Sequence, residues 1–345
     1  MPPLGRRRIS RRAFLAGVGA TTVAACTSDG RPRSSGRQIV VANHPLYIDA
    51  GTNRDFTAAT GIAVEYHEEV TDDDAWYAAV QSRLERNEPI DRDVVIVSDY
   101  VAGRLQRRGW LADPAPVTWA MGMVGVAYDA KAIGGDITRV GALFKPPLHG
   151  RVSLPMDMRA SLGVALLADG IDPAAVTLAD ATASSERLAN SVRLGQVLPI
   201  DRTPPIERLV AGDVDAAVVR ASDTVGLDAS HPEIRFVVPD EGGFLVTDVA
   251  AVLSDAADAQ GAASYLAFVS DPPHAAERFR VVPAVWEPGP IDDVVRRDAP
   301  AVLADPRRYP PADVRARLHR FRLLTDDEET AFAGLFDGVV HAANR

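Results

Sequence analysis

Three times in the first third of this chain, a short apolar run rich in β-branched residues gives way to a polar loop and then to a segment with helical periodicity. Gln38-Ile39-Val40-Val41-Ala42 ends at Asn43-His44-Pro45, and Asp49 to Thr60 follows as a helix with Phe56 inward, closed by Gly61. Ile62 to Tyr66 is the second run, and Asp72-Asp73-Asp74 starts a helix through Arg86 with Trp76, Tyr77, Val80 and Leu84 on one face. Asp93-Val94-Val95-Ile96-Val97 is the third, continuous enough in apolarity for a buried strand, and Ser98-Asp99-Tyr100 leads into a helix from Val101 to Arg108. This alternation dictates an α/β fold with a mainly parallel sheet, in which ligands bind at the loops beyond the carboxyl ends of the strands. His44, Tyr47, Ser98 and Tyr100 all fall in those loops.

Thr118 to Tyr128 reads as an apolar strand long enough to pass from one lobe to another. A second set of units follows: strand Val152 to Leu154, the segment Pro155-Met156-Asp157-Met158-Arg159 and a helix through Ala168. Helices over Asp180–Arg193 and Pro205–Ala211, and strands over Ala216–Val219 and Arg235–Val238, continue the pattern. The acidic glycine turn Pro239-Asp240-Glu241-Gly242-Gly243 then feeds a strand that runs to Leu253 with Asp248 inside it. An ionised side chain in so apolar a strand is costly unless it lies at an end, at a rim or opposite a partner. Helices over Ala256–Val269 and Pro273–Arg280 come next, and helices from Pro311 and Thr325 are expected on the outside.

The N-terminus carries an export signal. Arginines precede an apolar, small-residue run from Ala16 to Ala25, which is too short to span a bilayer as a helix. Ser10-Arg11-Arg12-Ala13-Phe14-Leu15 resembles a twin-arginine signal, and Val23-Ala24-Ala25-Cys26 resembles a lipobox whose cysteine becomes the lipidated first residue. Cys26 is the chain's one cysteine, so no internal disulfide forms. Removal of residues 1–25 takes away five arginines and no acid, moving the net charge from −10 to −15. So acidic a surface disfavours nucleic acid and favours cations. Residues 26–37 read as a flexible tether.

Several segments together resemble the spermidine/putrescine-binding family of bacterial ABC-importer solute-binding proteins. They are Asn43-His44-Pro45-Leu46-Tyr47, Val95 to Tyr100, Met156-Asp157-Met158-Arg159, Gly212 to Arg220, and Glu241-Gly242-Gly243 with Asp248. The resemblance implies a two-lobed, periplasmic-binding-protein-like α/β fold of type II. Each lobe would be a mixed, mostly parallel sheet flanked by helices, with the ligand cleft between. Lobe one is then expected over 38–121 plus 247–290, and lobe two over 122–246 plus 291–345. The resemblance also implies a monomer tethered to the outer face of the cytoplasmic membrane through Cys26. It would hand a small cationic or zwitterionic amine to a membrane permease, with no cofactor, no metal and no nucleic-acid partner.

Residue by residue, Asp157 and Asp248 match the family's aspartates for ammonium ends, and Tyr47, Ser98 and Tyr100 match its first-lobe hydrogen-bonding positions. The departures are as informative. His44 and Arg220 stand where the family has tryptophans, Leu46 and Ala160 where it has acids, and Val246 where it has another tryptophan. Arg220, if it projects inward, repels a second ammonium and leaves room for a ligand anion. Simpler structural roles remain open: Asp157 as a helix N-cap, Tyr47 and Tyr100 as core-edge aromatics, Arg220 on the rim and Asp72–Asp74 as a helix start. No Gly-x-Ser-x-Gly, His-Glu-x-x-His, Cys-x-x-Cys or glycine-rich lysine loop supports an enzyme. The alternative of another class is a non-transporting lipoprotein of the same fold, a sensor or scaffold with a degenerate ligand site.

Overall fold

The first three strands, β1 (Gln38–Asn43), β2 (Ala63–Glu68) and β3 (Val94–Ser98), are parallel with β1 in the middle. The computed structural model describes residues 36–285 and 292–344; Arg11, Arg12, Cys26 and the tether up to Ser35 lie outside them. In register, Val41 stands opposite Tyr66 on one side and Val94 on the other. Every residue of β3 is buried, because helices cover both faces of the sheet, whereas no residue of edge strand β2 is fully buried and Glu65 and Glu68 are exposed. Each strand returns through a helix: Thr52–Thr60, Asp73–Glu85 and Asp99–Arg107. One face of the sheet packs Ile39, Val41 and Phe56 under Tyr265 and Leu266 of the later helix Ala259–Ser270, and the other packs Val95 and Val97 against Tyr77 and Leu105.

The remaining strands are β4 (Val117–Asp129), β5 (Val152–Ser153), β6 (Ala216–Arg220), β7 (Ile234–Val237), β8 (Gly243–Val252) and β9 (Leu318–His319). They extend the sheet in the order β2-β1-β3-β8-β4-β6-β5, with β7 beside β4 and β9 beside β8. β4 and β8 are the long pieces that both lobes share. The C-terminal half of β8 pairs antiparallel with β3, while Val124 to Tyr128 of β4 pair with β6 in the second lobe. Between those halves β4 and β8 run antiparallel to each other, with a register irregularity between Thr118 and Ala120 opposite Asp248.

The acidic glycine turn is where the chain enters β8. Gly242 has φ 114°, and a Cβ there would stand 2.3 Å from the carbonyl oxygen of Arg317, so a side chain is excluded by strain and by space together. That closeness lets β9 lie parallel to the start of β8.

Two features of the C-terminal region differ from expectation. The segment 291–345 was expected in the second lobe, but helices Asp292–Asp298 and Pro300–Ala304 pack on the first: Val295 is fully buried in the cluster that holds Phe56 and Phe279. Buried Arg308 fixes the following turn there by donating to the carbonyls of Phe279 and Val282. The last helix, Asp326–Val340, is not simply an outer layer. Phe332 packs with Leu162 and Leu166 of the buried helix Met158–Ala168, and its Phe336 side faces the space between the lobes. Among the described residues, no helix is long and apolar enough to cross a membrane.

Candidate ligand site

A cleft of about 640 Å³ opens at the carboxyl ends of the first-lobe strands. His44 and Tyr47 reach it from the loop after β1, Ser98 from the end of β3, Tyr100 from the first turn of the helix Asp99–Arg107, and Asp248 from the middle of β8, where it is 6% exposed. Asp248 lies across from Ser98 on one side and Ala120 on the other, so it is neither at a strand end nor at a rim. Its compensation is Tyr47, whose Oη donates to Asp248 Oδ2 at 2.6 Å. Burial, then the charge of Asp248, push the Tyr47 hydroxyl well above its ordinary range, so it stays a neutral donor. The Trp119 indole holds the loop itself, donating to the Tyr47 carbonyl at 2.9 Å.

The second lobe contributes Asp157 and Arg220. Asp157 caps the helix Met158–Ala168, accepting from the Ala160 amide at 2.9 Å, and it also lines the cleft, so the capping and cleft roles coexist. Arg220 ends β6. Its amide donates to Asp223 at 3.0 Å, but among the described residues no hydrogen bond or ion pair holds its guanidinium. Arg220 is exposed at the end of β6; the protein crowding around it opposes its charge, but the carboxylates of Asp248 and Asp157 outweigh that and raise its pKa above the ordinary value. Arg220 and Asp157 also border an adjoining cavity of about 500 Å³, so the arginine stands between two open spaces.

Sequence reasoning missed several residues of the cleft. Asp72 alone caps the helix, accepting from the Ala75 amide, which leaves Asp73 free to turn inward. Asp73 Oδ1 accepts from the Ser98 amide at 2.9 Å and lies 4.0 Å from His44 Nε2. Burial, and secondly the charge of Asp248, push the Asp73 carboxyl up to about 6. The available signal was numerical: three aspartates follow β2, and a helix start needs only one. Arg159 was missed too. Its guanidinium lies 3.6 Å over the Tyr100 ring while pairing with Glu329, so a second-lobe cation rests on a first-lobe aromatic. Arg320 donates to Thr247 Oγ1 at 2.7 Å, and Phe321 and Phe336 add aromatic surface from the C-terminal region. Of the departures noted above, Ala160 and Val246 line the cleft, whereas Leu46 is 85% exposed with φ 57°.

A two-lobed α/β body with a charged cleft lined from both lobes is the architecture of a solute-binding protein. The chain belongs to the bacterial extracellular solute-binding protein family, whose profile matches residues 49–279, and it is accordingly exported. No curated protein matches its sequence. Among solved structures it is similar to the spermidine/putrescine ABC transporter substrate-binding protein PotD of Streptococcus pneumoniae, at 16% identity and a TM-score of 0.73 over 89% of this chain and 99% of that one. A putative spermidine/putrescine ABC transporter protein of Listeria monocytogenes is similar at 19% identity and a TM-score of 0.71, covering 88% and 98%. The binding protein AgtB of Agrobacterium tumefaciens, in complex with agropinic acid, is similar at 20% identity and a TM-score of 0.64, covering 88% and 98%. At these identities the likeness concerns the fold.

Proposed function

We propose that this chain is the lipid-anchored receptor of an ABC importer and that its cleft takes a small solute bearing both an amine and an anionic group. One observation carries the ligand class. Arg220, which makes no ion pair among the described residues, faces Asp248 and Asp157 across open space, so the cleft presents separated charges of both signs. An amine satisfies the aspartates and an anion satisfies Arg220, whereas the second ammonium of a long polyamine meets a fixed positive charge. The fold relatives include proteins named for spermidine and putrescine and one bound to an acid, which is consistent with a cleft retuned by a few side chains.

The rest of the reading follows the sequence. Arg11 and Arg12 direct export, Cys26 carries the lipid, and the mature chain works as a monomer beside its permease. The hinge falls where β4 and β8 cross. A cleft of about 640 Å³ lined by oriented charges favours retained ligand binding over a degenerate scaffold. Calorimetry of the purified protein against spermidine, putrescine, amino acids and betaines tests the ligand class. The expected result is preference for an amino acid or similar zwitterion, with Arg220→Ala weakening it about tenfold to a hundredfold, the worth of a charge-assisted hydrogen bond. Tight spermidine binding untouched by Arg220→Ala refutes the reading.

A further inference from the structure

The first-lobe end of the cleft gathers hydrogen-bond acceptors that meet few donors among the described residues: the Tyr47 hydroxyl for Asp248 and the Ser98 amide for Asp73. His44 Nε2 is buried and makes no hydrogen bond among the described residues. One ligating atom each of His44, Asp73 and Asp248 lie within 4.8 Å of one another, the His44–Asp73 pair at 4.0 Å. Beside them Ser98 is 7% exposed and lines the cleft, and its Oγ has no partner among the described residues, although its backbone is tied to Asp73 and registered with Asp248. Aromatic packing fixes the imidazole, since the His44 and Tyr47 rings meet edge to face at 5.3 Å.

From this geometry we infer that His44, Asp73 and Asp248 form a three-acceptor cradle for a primary ammonium group, with the Ser98 hydroxyl as a fourth contact, so that the site selects –NH3⁺ solutes over N-methylated ones. The inference rests on the reading of the cleft as an amine-solute site and names the group that reads the amine. Size supports it. Three acceptors around an ammonium nitrogen at about 2.8 Å stand about 4.6 Å apart, the scale seen here. Neighbouring ligands of a tetrahedral zinc at about 2.1 Å draw in to about 3.4 Å, closer than the His44–Asp73 pair.

Chemistry supports it as well. Two carboxylates, joined by the imidazole in the tautomer that carries its proton on Nδ1 alone, offer lone pairs to a group with three donors and no acceptor. A trimethylammonium carries the same charge, has no N–H to give and needs more room. Tyr47 already supplies a donor to Asp248, and the Ser98 amide one to Asp73, so each carboxylate is oriented before the amine arrives. The raised pKa of Asp73, set first by burial and then by the charge of Asp248, fits a carboxylate that gains from an added cation.

Calorimetry on the full chain with matched pairs tests this: glycine against glycine betaine, γ-aminobutyrate against its N-trimethyl form, and putrescine against its bis-trimethylammonium form. In every pair that binds, the primary amine is expected to bind at least about tenfold tighter, one charge-assisted hydrogen bond being worth that much. Asp73→Asn keeps an acceptor for the Ser98 amide and is expected to weaken the primary amine about tenfold, as is His44→Phe, with thermal melting confirming that both variants fold. A trimethylated partner binding equally well, or both variants binding at wild-type strength, overturns the cradle and leaves the amine-solute reading standing. Manganese or calcium binding that Asp73→Asn abolishes, without any preference among the amines, also overturns it in favour of a metal site. Absence of binding across all pairs overturns both readings.

Discussion

Replacing Asp73 by asparagine should make the ligand-free protein more stable while making it a worse receptor. The Asp73 carboxyl has its pKa raised from the usual 3.8 to about 6, first by burial and then by the charge of Asp248, against smaller opposing effects from His44, the Ser98 amide and Arg220. At the start of its own helix Asp72 and Asp74 flank it, and Tyr100 faces it from the first turn of the helix Asp99–Arg107. A carboxyl whose folded-state pKa is raised contributes stability that is fully present below pH 3.8 and lost as the pH rises through about 6. Above that range the ionised group costs the empty cleft up to about 3 kcal/mol, the free energy equivalent of that rise. The asparagine side chain, uncharged at every pH, avoids the cost and still accepts from the Ser98 amide. At pH 7.5 Asp73→Asn should therefore raise the melting temperature by a few degrees. Near pH 4, where Asp73 is protonated in the wild type, the two proteins should melt together. In the wild type a bound ammonium pulls Asp73 toward its ionised form, so affinity for a primary amine should fall up to about tenfold per pH unit below about pH 6. Differential scanning calorimetry at the two pH values, with titration calorimetry in buffers of different ionisation enthalpy, measures both effects. A variant less stable than wild type at pH 7.5, or a stability difference that ignores pH, refutes the reasoning.

Two further outcomes follow from the cleft. Tyr47→Phe removes the hydroxyl that offsets the buried charge of Asp248; it should cost about 1–3 kcal/mol in urea unfolding at neutral pH, and an unchanged midpoint would show that another donor compensates. Arg159→Met leaves Glu329, 7% exposed, without its ion-pair partner, and should destabilise by about 3–5 kcal/mol. Adding Glu329→Gln should restore most of that stability without restoring the contact to Tyr100, and a double variant as unstable as the single one would mean that the cation–π contact dominates.

Much of the fold was legible in residue order. The runs Gln38–Ala42 and Asp93–Val97 fall on buried parallel strands β1 and β3, because a strand covered on both faces must be apolar throughout. The loop after β1 carries His44 and Tyr47 to the cleft, and the end of β3 with the first turn of its helix carries Ser98 and Tyr100, since strand direction alone sends those carboxyl ends to the same edge. Asp248 stood out as a charge in an apolar strand, and the need for a partner was readable although the partner was not.

The tertiary structure decided what local pattern leaves degenerate. A first-turn aspartate looks the same whether it faces solvent or a cleft, so Asp73 became distinguishable only when β3 and β8 brought Ser98 and Asp248 beside it. Helix Asp292–Asp298 has too short an apolar pattern to declare its lobe, and Val295 chose the first by filling space under Phe279. Arg159 and Glu329, 170 residues apart, share no sequence signal at all. Sequence determines which segments are strands and helices through periodicity and caps, which are short-range. The charge pattern of the cleft depends on which segments distant in the chain the folding of two lobes around β4 and β8 places within reach of one another.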